Sequence, residues 1–163
     1  MKAPLIRTAP LMILSLLLSL PASAQEMNKA VEFETLAKNV MSGHAEKMNY
    51  VITSKEDWQV LWDKISSIYL PRPPAPEVDF SNESIIAVFQ GSQPSSGYST
   101  AVTRLVKSGK KLKVFVREVL PANDCAVLLV ITRPYEIIRT EKVKDADRVV
   151  FKVKQDIKVC RQD

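Results

Sequence analysis

Ser95 and Ser96 most invite a chemical reading, because a serine just ahead of Gly97 on a tight turn could present a nucleophilic hydroxyl. The nucleophile elbow requires Gly-x-Ser-x-Gly, and Gln93 stands where its first glycine belongs. Ser108-Gly109-Lys110-Lys111 matches Ser-x-x-Lys by letter, but it sits in a hairpin turn without either companion motif of the serine acylases. His44 is the single histidine, so no cluster of imidazoles can hold a metal, and its Ser42-Gly43-His44 setting reads as a solvated turn. Asp145 and Asp147 lack the glycine and the downstream glutamate of a calcium loop. With four glycines in the whole chain there is no phosphate-cradling loop. The residues therefore predict a protein that is not an enzyme, with neither a metal site nor a cofactor.

What does read as a site is a pair of stiff, aromatic-tipped loops. One is Pro94-Ser95-Ser96-Gly97-Tyr98 and the other Arg133-Pro134-Tyr135. Proline lowers the ordering entropy of a loop, and Tyr and Arg are favoured anchors at protein interfaces. Both tyrosines are expected at one end of a sheet, where the two loops would form a partner-binding surface. The rival reading makes them turns whose tyrosines plug the ends of the core.

The elements that must position these loops begin after a leader. Lys2 and Arg7 precede an apolar run over residues 11–20 and an Ala22-Ser23-Ala24 cleavage site, the pattern of a secretory signal peptide. The run is shorter than the ~20 residues needed to span a bilayer. Residues 1–24 are thus expected to be removed, leaving 25–163 as a single periplasmic or secreted domain with no transmembrane segment. Of the 23 basic and 18 acidic residues, Lys2 and Arg7 lie in the leader, which leaves 21 against 18 and a net charge of +3. So mild and mixed a balance argues against nucleic acid or an anionic membrane as partner. Cys125 and Cys160 are an even pair in an exported chain, so a disulfide and two free thiols both stay open.

Within the domain one helix stands out. Ser54 can cap it through the amide of Asp57, and Trp58, Leu61, Trp62 and Ile65 recur at helical spacing as one apolar stripe that faces a sheet. The prolines of 70–77 make an extended connector. Ile85 to Gln90 is apolar without alternation and predicts a strand buried on both faces. Tyr98–Val106 and Leu112–Val119 form a hairpin around Ser108-Gly109-Lys110, with Leu112, Val114 and Val116 inward and Lys111, Lys113 and Arg117 outward. Weaker signals place strands at 32–40 and 47–53. Ala126–Ile131 reads as a second doubly buried strand, and a long last strand carries Val149, Phe151, Val153, Ile157 and Val159 on one face. The fold class is α+β: a mainly antiparallel sheet of six to eight strands, open to barrel-like curling, with one amphipathic helix packed on it. Two sandwiched sheets are the alternative.

Phe33-Glu34-Thr35-Leu36, Ala87-Val88-Phe89-Gln90-Gly91, Pro94-x-x-Gly97-Tyr98-Ser99, Pro121 to Cys125 and Thr132-Arg133-Pro134-Tyr135 follow one another in an order that resembles the PrcB C-terminal domain family. The family usually has Thr-Gly-Gly-Tyr where this chain has Ser95-Ser96-Gly97-Tyr98. The resemblance implies an exported, non-catalytic module associated with a protease complex, so the implied partner is an exported protease or another envelope protein. The same loops are similar in order to those of chagasin-like cysteine protease inhibitors, which implies an inhibitor-like alternative. A small-ligand or envelope-binding module using a crevice near Trp58 and Trp62 is the third reading.

Overall fold

The computed structural model describes residues 28–144 and 147–160, so the leader at 1–24 lies outside the described residues. Eight strands and one helix follow in the order β1 (Lys29–Val31), β2 (Phe33–Asn39), β3 (Lys47–Ile52), α1 (Lys55–Ser66), β4 (Glu83–Gln90), β5 (Ser99–Ser108), β6 (Lys111–Pro121), β7 (Tyr135–Glu141) and β8 (Arg148–Lys158). They form two four-stranded sheets, β1-β5-β6-β8 and β2-β7-β4-β3. Every pairing is antiparallel except that of β6 with β8. The α+β class and the packed helix expected from the sequence are borne out. The strands divide evenly into two sheets, and neither closes into a barrel.

Three layers result, and β4 explains why. Its odd positions, Ile85, Ala87 and Phe89, join a core with Trp58, Leu61, Trp62 and Ile65 of α1. Its even positions, Ile86 and Val88, join a second core with Val102, Leu105, Leu112, Val114 and Val116 of the other sheet. A strand covered on both sides has no polar face to alternate with, which is the pattern the sequence carries. Each such aliphatic or aromatic side chain stabilises by roughly 1.5–3 kcal/mol when fully buried.

The helix forms as its caps and stripe predict. The Asp57 amide donates to Ser54 Oγ at 3.2 Å, and Trp58, Leu61, Trp62 and Ile65 are all buried. The proline connector crosses over this helix as a strap. Trp62 Nε1 donates to the Pro73 carbonyl at 2.9 Å and Trp58 Nε1 to the Pro76 carbonyl at 3.0 Å, so both indoles meet the polar partner a buried tryptophan needs. Among the described residues no helix is long and apolar enough to cross a membrane.

Three expectations are corrected. Ala126–Ile131 is not a strand: it runs as irregular backbone with Leu128, Leu129, Val130 and Ile131 exposed. An apolar run alone does not supply a neighbouring strand, and both sheets are complete without it. On β8, an edge strand paired only with β6, Val153 and Ile157 are exposed, as is Val159 just beyond it, so that face is partly buried only at its start. His44 is not solvated; it is 1% exposed, stacked on Phe89 with ring centroids 4.2 Å apart.

Candidate loop surface at one end of the sheets

The chain after β4 is steered by Gly91, whose φ of +80° is cheap only for glycine. It then pairs with a segment far along the chain: Gln93 N donates to the Thr132 carbonyl at 2.8 Å, and Thr132 N returns the bond to Gln93 at 3.0 Å. Thr132 Oγ1 donates to the Ser95 carbonyl at 2.9 Å. One turn further, Ser96 N donates to the Leu128 carbonyl and Leu128 N to Ser96 Oγ, both at 2.9 Å. The structure therefore brings the two loops together as one clasped unit.

Within that unit the expected site residues differ. Pro94 is exposed, Ser96 and Tyr98 are half-buried, and Ser95 is buried with its hydroxyl donating to the Ser96 carbonyl. Gly97 has φ +93°, and a Cβ there would lie 3.1 Å from Pro121. So the one glycine this chain keeps is the one the turn needs. Arg133 is half-buried and braced by Nε to Ser92 Oγ at 3.2 Å and by a terminal nitrogen to the Ser42 carbonyl at 3.3 Å. Pro134 is buried, and its carbonyl accepts from Gln90 N at 3.0 Å. Tyr135 is 5% exposed and stacked on Phe89 at 5.8 Å, and burial pushes its hydroxyl pKa up to about 12. Of the two tyrosines, Tyr98 reaches the surface and Tyr135 belongs to the core.

Cys125 and Cys160 form a disulfide with Cα atoms 5.0 Å apart, which ties the loop carrying Leu128 and Leu129 to the end of β8. That loop presents Leu129 at 93% exposure beside Leu128 and Ile131. Val40 and Met41, also exposed, lie close by, since Arg133 N donates to the Val40 carbonyl at 2.8 Å.

Beneath the loops the space between the sheets turns polar. Glu136 of β7 is buried, accepts from the Val102 amide of the facing sheet, and pairs with Lys38 Nζ at 3.2 Å. Glu118 of β6 is buried as well, accepting from Lys47 Nζ at 2.7 Å and Gln155 Nε2 at 2.9 Å. Sequence reasoning missed both. Extending the Leu112, Val114, Val116 alternation by one step would have placed Glu118 on the inward face.

His44 Nε2 lies 2.8 Å from the Tyr50 hydroxyl, so the histidine is engaged inside the core rather than beside Ser95 or Ser96. Among the described residues no group of three His, Cys, Asp or Glu side chains could hold a metal. The tryptophans offer no open stacking face, since Trp58 and Trp62 are 3% and 8% exposed. An open cleft of about 750 Å³ lies beside Trp58, lined by Lys55, Gln59, Glu77, Asp79 and Arg139 among others.

Two facing sheets with an outer helix, and a clasped loop pair at one end, define an α+β fold. Residues 84–141 match the family described as PrcB C-terminal. The resemblance read from the sequence is thereby supported over that stretch, which contains β4 to β7 and both loops. These four are the central strands of the two sheets, and β1, β2, β3 and β8 at the edges lie outside the match. Neither a curated protein nor a solved structure matches the chain.

Proposed function

We propose that this chain is an exported, non-catalytic protein-binding module that serves as an accessory subunit of a protease complex. The observation that carries the reading is the clasp between Ser96 and Leu128, which holds an apolar segment in water at the tip of a rigid scaffold. Contiguous exposed apolar residues are uncommon on monomers and are characteristic of surfaces that a partner covers. Tyr98 and Pro94 stand beside that segment, and the PrcB C-terminal match spans the whole arrangement.

Pull-down from the exported fraction, with bound proteins identified by mass spectrometry, tests the reading. We expect an exported protease or a subunit of its complex to be captured by the native chain and lost with Tyr98→Ala combined with Leu129→Asp. Each substitution should weaken capture by about 2 kcal/mol or more if it removes a hot spot. Capture unaffected by the double variant would refute this surface. An inhibitor-like role uses the same loops and is separated by assaying the captured protease, since an inhibitor suppresses its turnover and an accessory subunit does not. The N-terminus of the exported material is expected at Gln25.

A further inference from the structure

The mild net charge hides a strong segregation. The outer face of the β1-β5-β6-β8 sheet carries Arg104, Lys111, Lys113, Arg117, Lys152 and Lys154, with Asp156 the single acidic side chain on it among the described residues. The parallel register of β6 and β8 sets Lys111 directly against Arg148 and Arg117 against Lys154. Like charges in register repel and lower stability. Asp156 relieves the second pair, bonding Arg117 at 2.7 Å and Lys154 at 2.9 Å. Lys111, Lys113, Lys152 and Arg148 have no ion-pair partner among the described residues. The opposite side of the molecule is mixed instead: Glu56, Asp57 and Asp63 of α1 and Glu77 and Asp79 of the strap stand there with Lys55, Lys64 and Arg139. No element of the described chain packs on the cationic face.

We propose that this face docks the protein on an anionic phospholipid membrane. The cations lie on one side of a single sheet, where several can reach a planar surface together. Each Lys or Arg brought near an anionic leaflet adds about five-fold to partitioning. Nucleic acid is disfavoured by the same surface. Its aromatic ring, Phe115, is covered by the Arg104 guanidinium at 4.1 Å, which leaves no open platform for a base. The docking is independent of the loop surface and survives if that reading fails.

The test is co-sedimentation of protein beginning at Gln25 with vesicles of phosphatidylcholine alone or mixed with phosphatidylglycerol. All the strands and the helix lie within residues 28–160, so removing the leader leaves the fold intact and excludes binding through its apolar run. We expect binding to the mixed vesicles only, released at roughly 1 M salt, where the screening length is about 3 Å. Replacing Lys111, Lys113 and Lys152 together with Gln should weaken it about a hundred-fold, following the per-cation effect. Replacement of the same three with Arg should preserve it, and that variant also controls for a folding defect. Equal binding to both vesicle types, no binding to the mixed vesicles at low salt, or an unweakened Gln variant that stays folded overturns the proposal. Tighter binding to duplex DNA than to the mixed vesicles also overturns it and assigns the face to nucleic acid.

Discussion

Ser96 and Leu128, 32 residues apart in sequence, exchange two hydrogen bonds of 2.9 Å, one through backbone and one through the serine hydroxyl. This pair fixes the apolar loop tip relative to Tyr98. Ser96→Ala removes the hydroxyl acceptor and should cost about 1 kcal/mol of stability, the usual net value of one hydrogen bond. Chemical denaturation measures that loss, and partner capture should fall with it.

The two tyrosines should separate cleanly in melting experiments. Tyr135 is buried against Phe89, so Tyr135→Ala should cost roughly 3–5 kcal/mol, as for other truncated core aromatics. Tyr98 is half-buried at the loop, so Tyr98→Ala should leave the melting temperature nearly unchanged while weakening capture. Equal losses of stability would make Tyr98 a core residue as well.

Cys125–Cys160 closes a loop with a sequence separation of 35. The chain-entropy model gives a stabilisation of about 3–4 kcal/mol for a loop of that length. Cys125→Ser with Cys160→Ser should lower stability by that amount under oxidising conditions. Reductant should do the same to the native chain and leave the double variant unchanged.

His44 supplies a pH dependence of defined sign. Burial first, and then the nearby Lys64 ammonium, hold its pKa below the ordinary imidazole value, while the Glu46 carboxylate 3.5 Å from Nδ1 acts in the opposite sense. The unfolded chain therefore binds a proton that the folded chain resists. The stability contributed by the neutral ring is present above about pH 6.5 and is lost as pH falls through the folded value. His44→Phe keeps an aromatic ring against Phe89 and should abolish that part of the loss. Glu46, Asp79, Asp147 and Asp156 have lowered pKa values, so their contributions vanish in a more acidic window, below about pH 4.5. Denaturation midpoints at successive pH values resolve the two windows.

How much of this could be read in advance follows from which contacts are local. The cap at Ser54 and the stripe of α1 depend on residues within a few positions, and the hairpin of β5 and β6 on a two-residue turn, so all were legible. The doubly buried β4 was legible because its lack of alternation is itself the consequence of being the middle layer. Ala126–Ile131 carries the same apolar signature and ended as an exposed loop. The difference lies in whether a distant strand arrives alongside, which no local pattern encodes. The parallel partnership of β6 and β8 is equally non-local, and so is the burial of His44, which depends on Phe89 and Tyr50 closing around it. At the candidate site the sequence pointed to the two loops, while the depth of Tyr135 and the buried Glu118 and Glu136 emerged only with the facing sheet in place.

The four strands inside the PrcB C-terminal match, β4 to β7, are the interior strands of both sheets, and all four edges come from elsewhere in the chain. A fragment cut to residues 84–141 would therefore expose unpaired backbone along β4, β5, β6 and β7. It would also lay bare the Ile85, Ala87 and Phe89 face that α1 normally covers. Open edges of apolar strands recruit copies of themselves. Such a fragment should precipitate, so the stretch that matches a known family is the least self-sufficient part of this fold.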